Sequence, residues 1–313
     1  MKEIVSSFLV VLVLFMTPVL LIITTSWLVM WGLIEINIIS FTSFDVSKDK
    51  RSSKNLIIRM IKYFIIQTIA STSILLCVLL NNYFFLLYLL YLFITLLLVL
   101  KIASSPIHRW FLDVIKSLNW LKAMILITWQ KFIPIVVLRL IRGLFLWVFV
   151  FFCATLTSIE ILRKKVVLEV IALSSVFNNS WAIVSTQLSF RILLLFTILY
   201  WVAVISFILE IFRQFNILKI FKSNGLLRLL FLLNISSLPP TTGFLAKWFV
   251  LIKIVKIGQV FQLTVLILTS IVNVFAYVRI SSLRLLEWTV NKKVIHLIIK
   301  LTILVCLWVI YSI

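Results

Sequence analysis

The chain is a succession of apolar runs, each close to twenty residues long, separated by short polar clusters. An α-helix needs about 20 residues to cross the hydrocarbon core of a bilayer. Cutting at the clusters gives eleven candidate crossings, near Ile4–Ile23, Ser26–Phe44, Leu56–Leu80, Tyr83–Ala103, Trp120–Ile141, Leu144–Leu162, Val166–Leu188, Ile192–Phe212, Leu226–Val255, Phe261–Leu283 and Val294–Ile313. Only helices and closed barrels satisfy every backbone group in lipid, and runs of this length fit helices. Composition agrees: 64% of residues are apolar and 12% charged, against the roughly one quarter charged that a soluble surface takes. The expectation is an all-α, polytopic transmembrane bundle of about eleven helices, forming a single domain over residues 1–313. The first run is too long, and too poorly flanked by a cleavage pattern, to read as a removed signal peptide.

The chain carries 30 Lys and Arg against 9 Asp and Glu. The basic residues sit at the ends of apolar runs rather than on a polar face, which argues against a nucleic-acid partner. They sort by side instead. With the N-terminus inside, twenty Lys and Arg fall at inner ends and five at outer ends, the bias that sets membrane orientation. Cys77, Cys153 and Cys306 stand alone in apolar runs and read as packing residues. Trp27, Trp110, Trp120 and Trp147 lie near span ends, where tryptophan belts form.

Two spans are not simple rods. Tyr83–Ala103 runs into Ser104-Ser105-Pro106 and resumes as Ile107–Leu118; Leu226–Val255 contains Leu238-Pro239-Pro240-Thr241-Thr242-Gly243. Proline removes an N–H and clashes with the preceding turn, so both helices break there. Non-helical backbone at membrane depth survives only against protein or a water-filled cavity. Paired broken helices in two halves of a transporter mark its ion pathway.

Four charges lie away from span ends: Glu35, Lys101 just before the first break, Lys131, and Lys247 one turn beyond Gly243. Each costs about 2.5–3.5 kcal/mol to insert, on the order of 10 kcal/mol together. Interhelical pairing could explain one such pair. One acid, three lysines and two breaks point further, to a set of groups that hold and pass protons as their neighbours change charge. His108, two residues past Pro106, reads either as a cap on the broken helix or as a proton relay. His296 lies near an inner loop. No phosphate loop or nucleotide fingerprint occurs, and two distant histidines do not suit a haem.

The motifs resemble one family. Lys101-Ile-Ala-Ser-Ser-Pro106-Ile-His108-Arg-Trp110 and Thr128-Trp129-Gln130-Lys131-Phe-Ile-Pro134 are similar to Lys-x-Gly-x-Ala-Pro-Phe-His-Phe-Trp and Thr-Trp-Gln-Lys-x-Ala-Pro of NADH dehydrogenase subunit 2 from mitochondrial respiratory complex I. Ser237-Leu-Pro239-Pro240-Thr-Thr-Gly243-Phe-Leu-Ala-Lys247-Trp248 resembles its Gly-Leu-Pro-Pro-Leu-Thr-Gly-Phe-Leu-Pro-Lys-Trp. Trp31-Gly-Leu-Ile-Glu35-Ile-Asn37 and Ile61-Lys62-Tyr63-Phe64 with Gln67 match two further blocks. Arg109 replaces an aromatic, Ser236-Ser237 a Gly pair and Ala246 a Pro, and Glu169 precedes a blurred Ser-Ser block.

The resemblance implies an antiporter-like subunit with inverted repeats, lacking three N-terminal helices of its bacterial relatives. It implies proton translocation through Glu35, Lys101, Lys131 and Lys247, with the breaks at Pro106, Pro239, Pro240 and Gly243 and no cofactor or metal in this chain. FMN, iron–sulfur clusters and ubiquinone belong, on this resemblance, to other subunits of the NADH:ubiquinone oxidoreductase. Partners are the neighbouring membrane-arm subunits and lipids such as cardiolipin. The location is the mitochondrial inner membrane, N-terminus in the matrix and C-terminus in the intermembrane space. A stand-alone cation/proton antiporter and a purely structural subunit are the alternatives; the first would need more mid-membrane carboxylates than Glu35.

Overall fold

The computed structural model describes residues 2–46, 54–80, 87–141, 146–164, 166–216, 234–238 and 241–286. All regular structure among them is helical. The chain divides into two compact units, Met1–Phe149 and Val150–Ile313.

The first unit holds α1 (Lys2–Ile23), α2 (Trp27–Val46), α3 (Lys54–Leu80), α4 (Leu87–Ile102), α5 (Arg109–Ile115), α6 (Trp120–Ile127) and α7 (Trp129–Ile141). α1, α2, α3 and α4 pack in sequence, and α4 then packs on α7. The second unit holds most of α8 (Leu146–Arg163), then α9 (Val167–Leu188), α10 (Phe190–Asn216), α11 (Thr242–Ile257) and α12 (Val260–Leu286). α9 is its axis: it packs against α10, α11 and α12, and 89% of its length is buried. Each unit therefore runs through three helices, an interrupted crossing and a further crossing.

Seven described helical segments are long and apolar enough to cross a membrane. Their outward faces are greasy: Phe8, Leu28, Ile58, Ile69, Phe261 and Phe275 are all more than half exposed. That is the surface of a multi-pass membrane protein. The span expected at Val294–Ile313, with Cys306 and His296, lies outside the described residues, as do Pro239 and Pro240.

Two expectations change. Trp120–Ile141 is not one rod but α6 and α7, joined through Thr128 (φ −104°, ψ −69°). The Thr128 hydroxyl donates to the Met124 carbonyl at 2.8 Å, a contact that bends helices. Pro134, inside α7, cannot donate to the Gln130 carbonyl and crowds it. Trp110 is buried at 7% exposure, packed between Tyr63 and Phe111, so it is part of the interior and not of an interfacial belt. Lys122, one of the twenty basic residues at inner span ends, lies in the first turn of α6 and is buried there.

Candidate functional site

α4 ends abruptly after Lys101. The Ser104 N–H reaches back to the Val99 carbonyl and the Ala103 N–H to the Leu100 carbonyl, both at 3.0 Å, the paired bonds of a Schellman stop. That stop needs a left-handed residue, and Ala103 supplies it with φ 58°. Glycine usually fills the place, because a Cβ there costs about 1–2 kcal/mol. The related motif, Lys-x-Gly, has glycine at this position. After the break α5 restarts at His108, whose side chain does not cap it, although it is buried at 2% exposure. The capping expectation for His108 therefore fails.

Lys101 is buried at 4% exposure. Its Nζ makes no hydrogen bond among the described residues, yet it lies within electrostatic reach of Glu35. The Glu35 carboxylate is held by the Ser71 hydroxyl, which donates to Oε1. One turn earlier on α3, Gln67 Nε2 donates to the Lys101 carbonyl at 3.2 Å. A single face of α3 thus reaches both members of the Glu35–Lys101 pair.

Lys131 occupies the first turn of α7, just past the Thr128 interruption, at 6% exposure. Its Nζ lies 4.4 Å from the Phe111 ring centroid; Phe111 belongs to α5, beyond the first break. The two residues before Lys131 are tied down. Trp129 Nε1 donates to the Leu14 carbonyl at 2.8 Å. Gln130 Nε2 donates to Asn37 Oδ1 at 2.9 Å, and Gln130 Oε1 accepts from the Tyr63 hydroxyl at 3.3 Å.

In the second unit the interruption precedes α11. Ser237 adopts φ 65°, again where the related motif has glycine. Asn234 bridges the gap: its Oδ1 accepts from the Thr242 hydroxyl at 2.9 Å and from the Gly243 N–H at 3.1 Å. It thereby caps α11, which Thr241 at the N-cap position does not do with its own side chain. Gly243 must be glycine, since a Cβ there would come within 2.3 Å of the Asn234 carbonyl oxygen. One turn further on, Lys247 is buried at 7% exposure. Its Nζ faces the rings of Phe177, at 5.2 Å, and Trp181, at 5.7 Å, on α9. Cation–π contacts of desolvated ammonium groups are worth about 2 kcal/mol.

Lys101, Lys131 and Lys247 are thus each buried within about a turn of an interrupted helix. The first unit brings Glu35 to Lys101 and Phe111 to Lys131; the second brings two rings to Lys247. Sequence reasoning missed Ser71, Asn234, Phe177 and Trp181, because serine, asparagine and aromatics in apolar helices carry no spacing signature. Glu169, singled out as a departure, forms an ion pair with Lys164 at 3.1 Å and sits in the first turn of α9, where a negative charge suits the helix dipole.

This combination, a multi-pass helical protein with buried lysines at interrupted helices, defines a polytopic membrane bundle of the antiporter-like fold class. The fold agrees. The chain superposes on a chain of respiratory complex I from Thermus thermophilus with a TM-score of 0.72 over 88% of its length and 69% of that chain, at 19% identity. It superposes on a chain of the Mrp complex from a Dietzia species with a TM-score of 0.71, over 87% of its length and 59% of that chain, at 14% identity. Among curated proteins the chain is similar to NADH-ubiquinone oxidoreductase chain 2. It is 29% identical to that of Anopheles gambiae over 301 residues, 90% of this chain and 86% of the mosquito protein. The chain 2 of Locusta migratoria is 25% identical over 302 residues, 90% of this chain and 87% of the locust protein. No protein-family model matches.

Proposed function

We propose that this chain is a core membrane-arm subunit of respiratory complex I, NADH:ubiquinone oxidoreductase, and moves protons across the mitochondrial inner membrane through Glu35, Lys101, Lys131 and Lys247. The observation that carries the reading is the recurrence of one arrangement: a buried lysine beside an interrupted helix, at Lys101, Lys131 and Lys247. Similarity to chain 2 along nine tenths of the sequence supports the assignment to the complex. The chain acts as part of an enzyme whose NADH oxidation and quinone reduction occur on other subunits, with no cofactor of its own. The basic inner ends favour an N-terminus in the matrix.

In this reading protons reach the buried lysines from the matrix and leave on the other side. Within the first unit the charge on Glu35 biases Lys101, since charges in a poorly screened interior interact strongly. In the first unit Glu35 is the lever. When its carboxylate balances Lys101, the ammonium form is favoured there; when that balance is lost, the proton moves on. His108, buried beside the first break, stands as a possible relay, and neighbouring membrane-arm subunits are the partners.

The deciding experiment exchanges Lys131 for Met in the assembled complex. The variant should appear at normal size on a native gel while coupled proton pumping drops by one to two orders of magnitude. An unchanged proton yield per electron would remove Lys131 from the pathway. A lysine that served only as interhelical glue would instead cost assembly.

A further inference from the structure

Lys247 faces a stripe of α9 made by Ser174, Phe177, Asn178 and Trp181, spaced i, i+3, i+4 and i+7 along one helix face. Phe177 and Trp181 receive the ammonium group. Two tyrosines from other helices converge on the same face. The Tyr277 hydroxyl, from α12, donates to Ser174 Oγ at 2.7 Å, and Ser174 passes its own hydrogen to the Ile171 carbonyl at 2.9 Å. The Tyr200 hydroxyl, from α10, lies beside the Asn178 side chain without completing a hydrogen bond. Asn178 Oδ1, Trp181 Nε1 and both amide atoms of Asn273, one turn before Tyr277, are also buried without a partner among the described residues. Asn178, Trp181 and Asn273 are each at most 4% exposed.

Buried polar atoms in folded proteins are almost always satisfied, by protein or by ordered water. Five unsatisfied atoms from four residues on three helices packed about one face mark a place where water belongs. The described neighbours of the Lys247 ammonium are the rings of Phe177 and Trp181, which accept no proton. The proton on Lys247 therefore needs a neighbour of another kind. Tyr277 is committed to Ser174; the Tyr200 hydroxyl is not.

We propose that Tyr200 and Asn178, linked by water, form the proton-transfer stage adjoining Lys247, and that Tyr277 and Ser174 are positioning residues for it. This rests on the reading of Lys247 as a proton carrier. In the step, an N–H bond of the Lys247 ammonium breaks and an O–H bond forms on the water. That water gives a different proton to the Tyr200 oxygen as the phenol's original proton leaves to the next water. One proton enters, one departs, the phenol ends neutral and no electron is transferred. Asn178 orients the phenol and its water.

The test uses the assembled complex in sealed membrane vesicles, with Tyr200→Phe, Asn178→Leu, Tyr277→Phe and Lys247→Met compared for native-gel assembly, proton uptake and the solvent deuterium isotope effect on turnover. Tyr200→Phe and Asn178→Leu should assemble and slow coupled proton uptake about tenfold, below the usual contribution of a placed proton-transfer group because water fills the vacated space. The isotope effect should rise in both. Tyr277→Phe should slow uptake about threefold without changing the isotope effect. Unchanged uptake in Tyr200→Phe alongside a slowed Lys247→Met would overturn the relay and leave Lys247 in place. Unchanged uptake in Lys247→Met would remove the parent reading itself. Loss of assembly in both Tyr200→Phe and Asn178→Leu would make the pair structural and overturn the proposal equally.

Discussion

The two interrupted crossings solve the same problem by different means. In the Met1–Phe149 unit the lysine precedes the break, and an opposite charge, Glu35, stands within its field. In the Val150–Ile313 unit the lysine follows the break and rests against the π faces of Phe177 and Trp181. Coulombic attraction in a poorly screened interior is strong and responds to any change on the partner. A cation–π contact is weaker and carries no titratable group. The first arrangement makes the lysine's charge depend on its partner's; the second holds the ammonium against rings whose charge does not change. The breaks differ as well. The first is closed by backbone bonds around Ala103, with the Gln67 side chain from α3 on the Lys101 carbonyl, whereas the second is stitched by the Asn234 side chain at the start of α11 itself.

That contrast can be broken at its tightest point first. Gly243→Ala should abolish assembly of the complex on a native gel, because the new Cβ would meet the Asn234 carbonyl oxygen at 2.3 Å; a backbone atom cannot step aside, and forced overpacking costs about 1–3 kcal/mol or more. A normal yield of assembled Gly243→Ala complex would show that the second break is looser than described. Asn234→Ala removes the cap on α11 and should cost about 1–2 kcal/mol, read as a shorter half-life of the detergent-solubilised complex on heating. Ser104, whose part in the first break is its backbone N–H, should show no equivalent effect, and a similar loss from Ser104→Ala would erase the distinction.

Ala103→Gly and Ser237→Gly act the other way. Both residues hold positive φ, and glycine there should stabilise by about 1 kcal/mol each, seen as a longer half-life in the same assay. Gly258, which ends α11 at φ 79°, already has this advantage, so Gly258→Ala should lose about as much as the others gain. The smallest effect belongs to the Lys62–Asp113 pair, 2.7 Å apart but almost half exposed on both sides. Asp113→Asn should shift stability by less than about 1 kcal/mol and leave proton yield unchanged. A large loss of pumping would place that pair at a proton entrance.

Much of this architecture is written in the spacing of apolar and polar residues. Runs such as Val166–Leu188 and Leu56–Leu80 match α9 and α3 within a few residues, since lipid length leaves little latitude. Pro106 announced the first break. Lys101, Lys131 and Lys247 stood out because a charge inside an apolar run is expensive whatever surrounds it. What surrounds it was illegible. Ser71, Gln67 and Asn234 are ordinary polar residues until the chain folds and brings a carboxylate, a carbonyl or a helix start beside them. The Thr128 interruption had a faint signal in Pro134, whose missing donor loosens the turn before it.

Ser71 and Gln67 sit four residues apart on one rigid rod. A slide of α3 along its axis, or a turn about it, would therefore let go of the acid on one neighbour and the Lys101 carbonyl of the other in the same motion. The chain's geometry ties those two grips together like fingers of one hand, so moving that rod loosens the acid and the backbone that carries its basic partner at once.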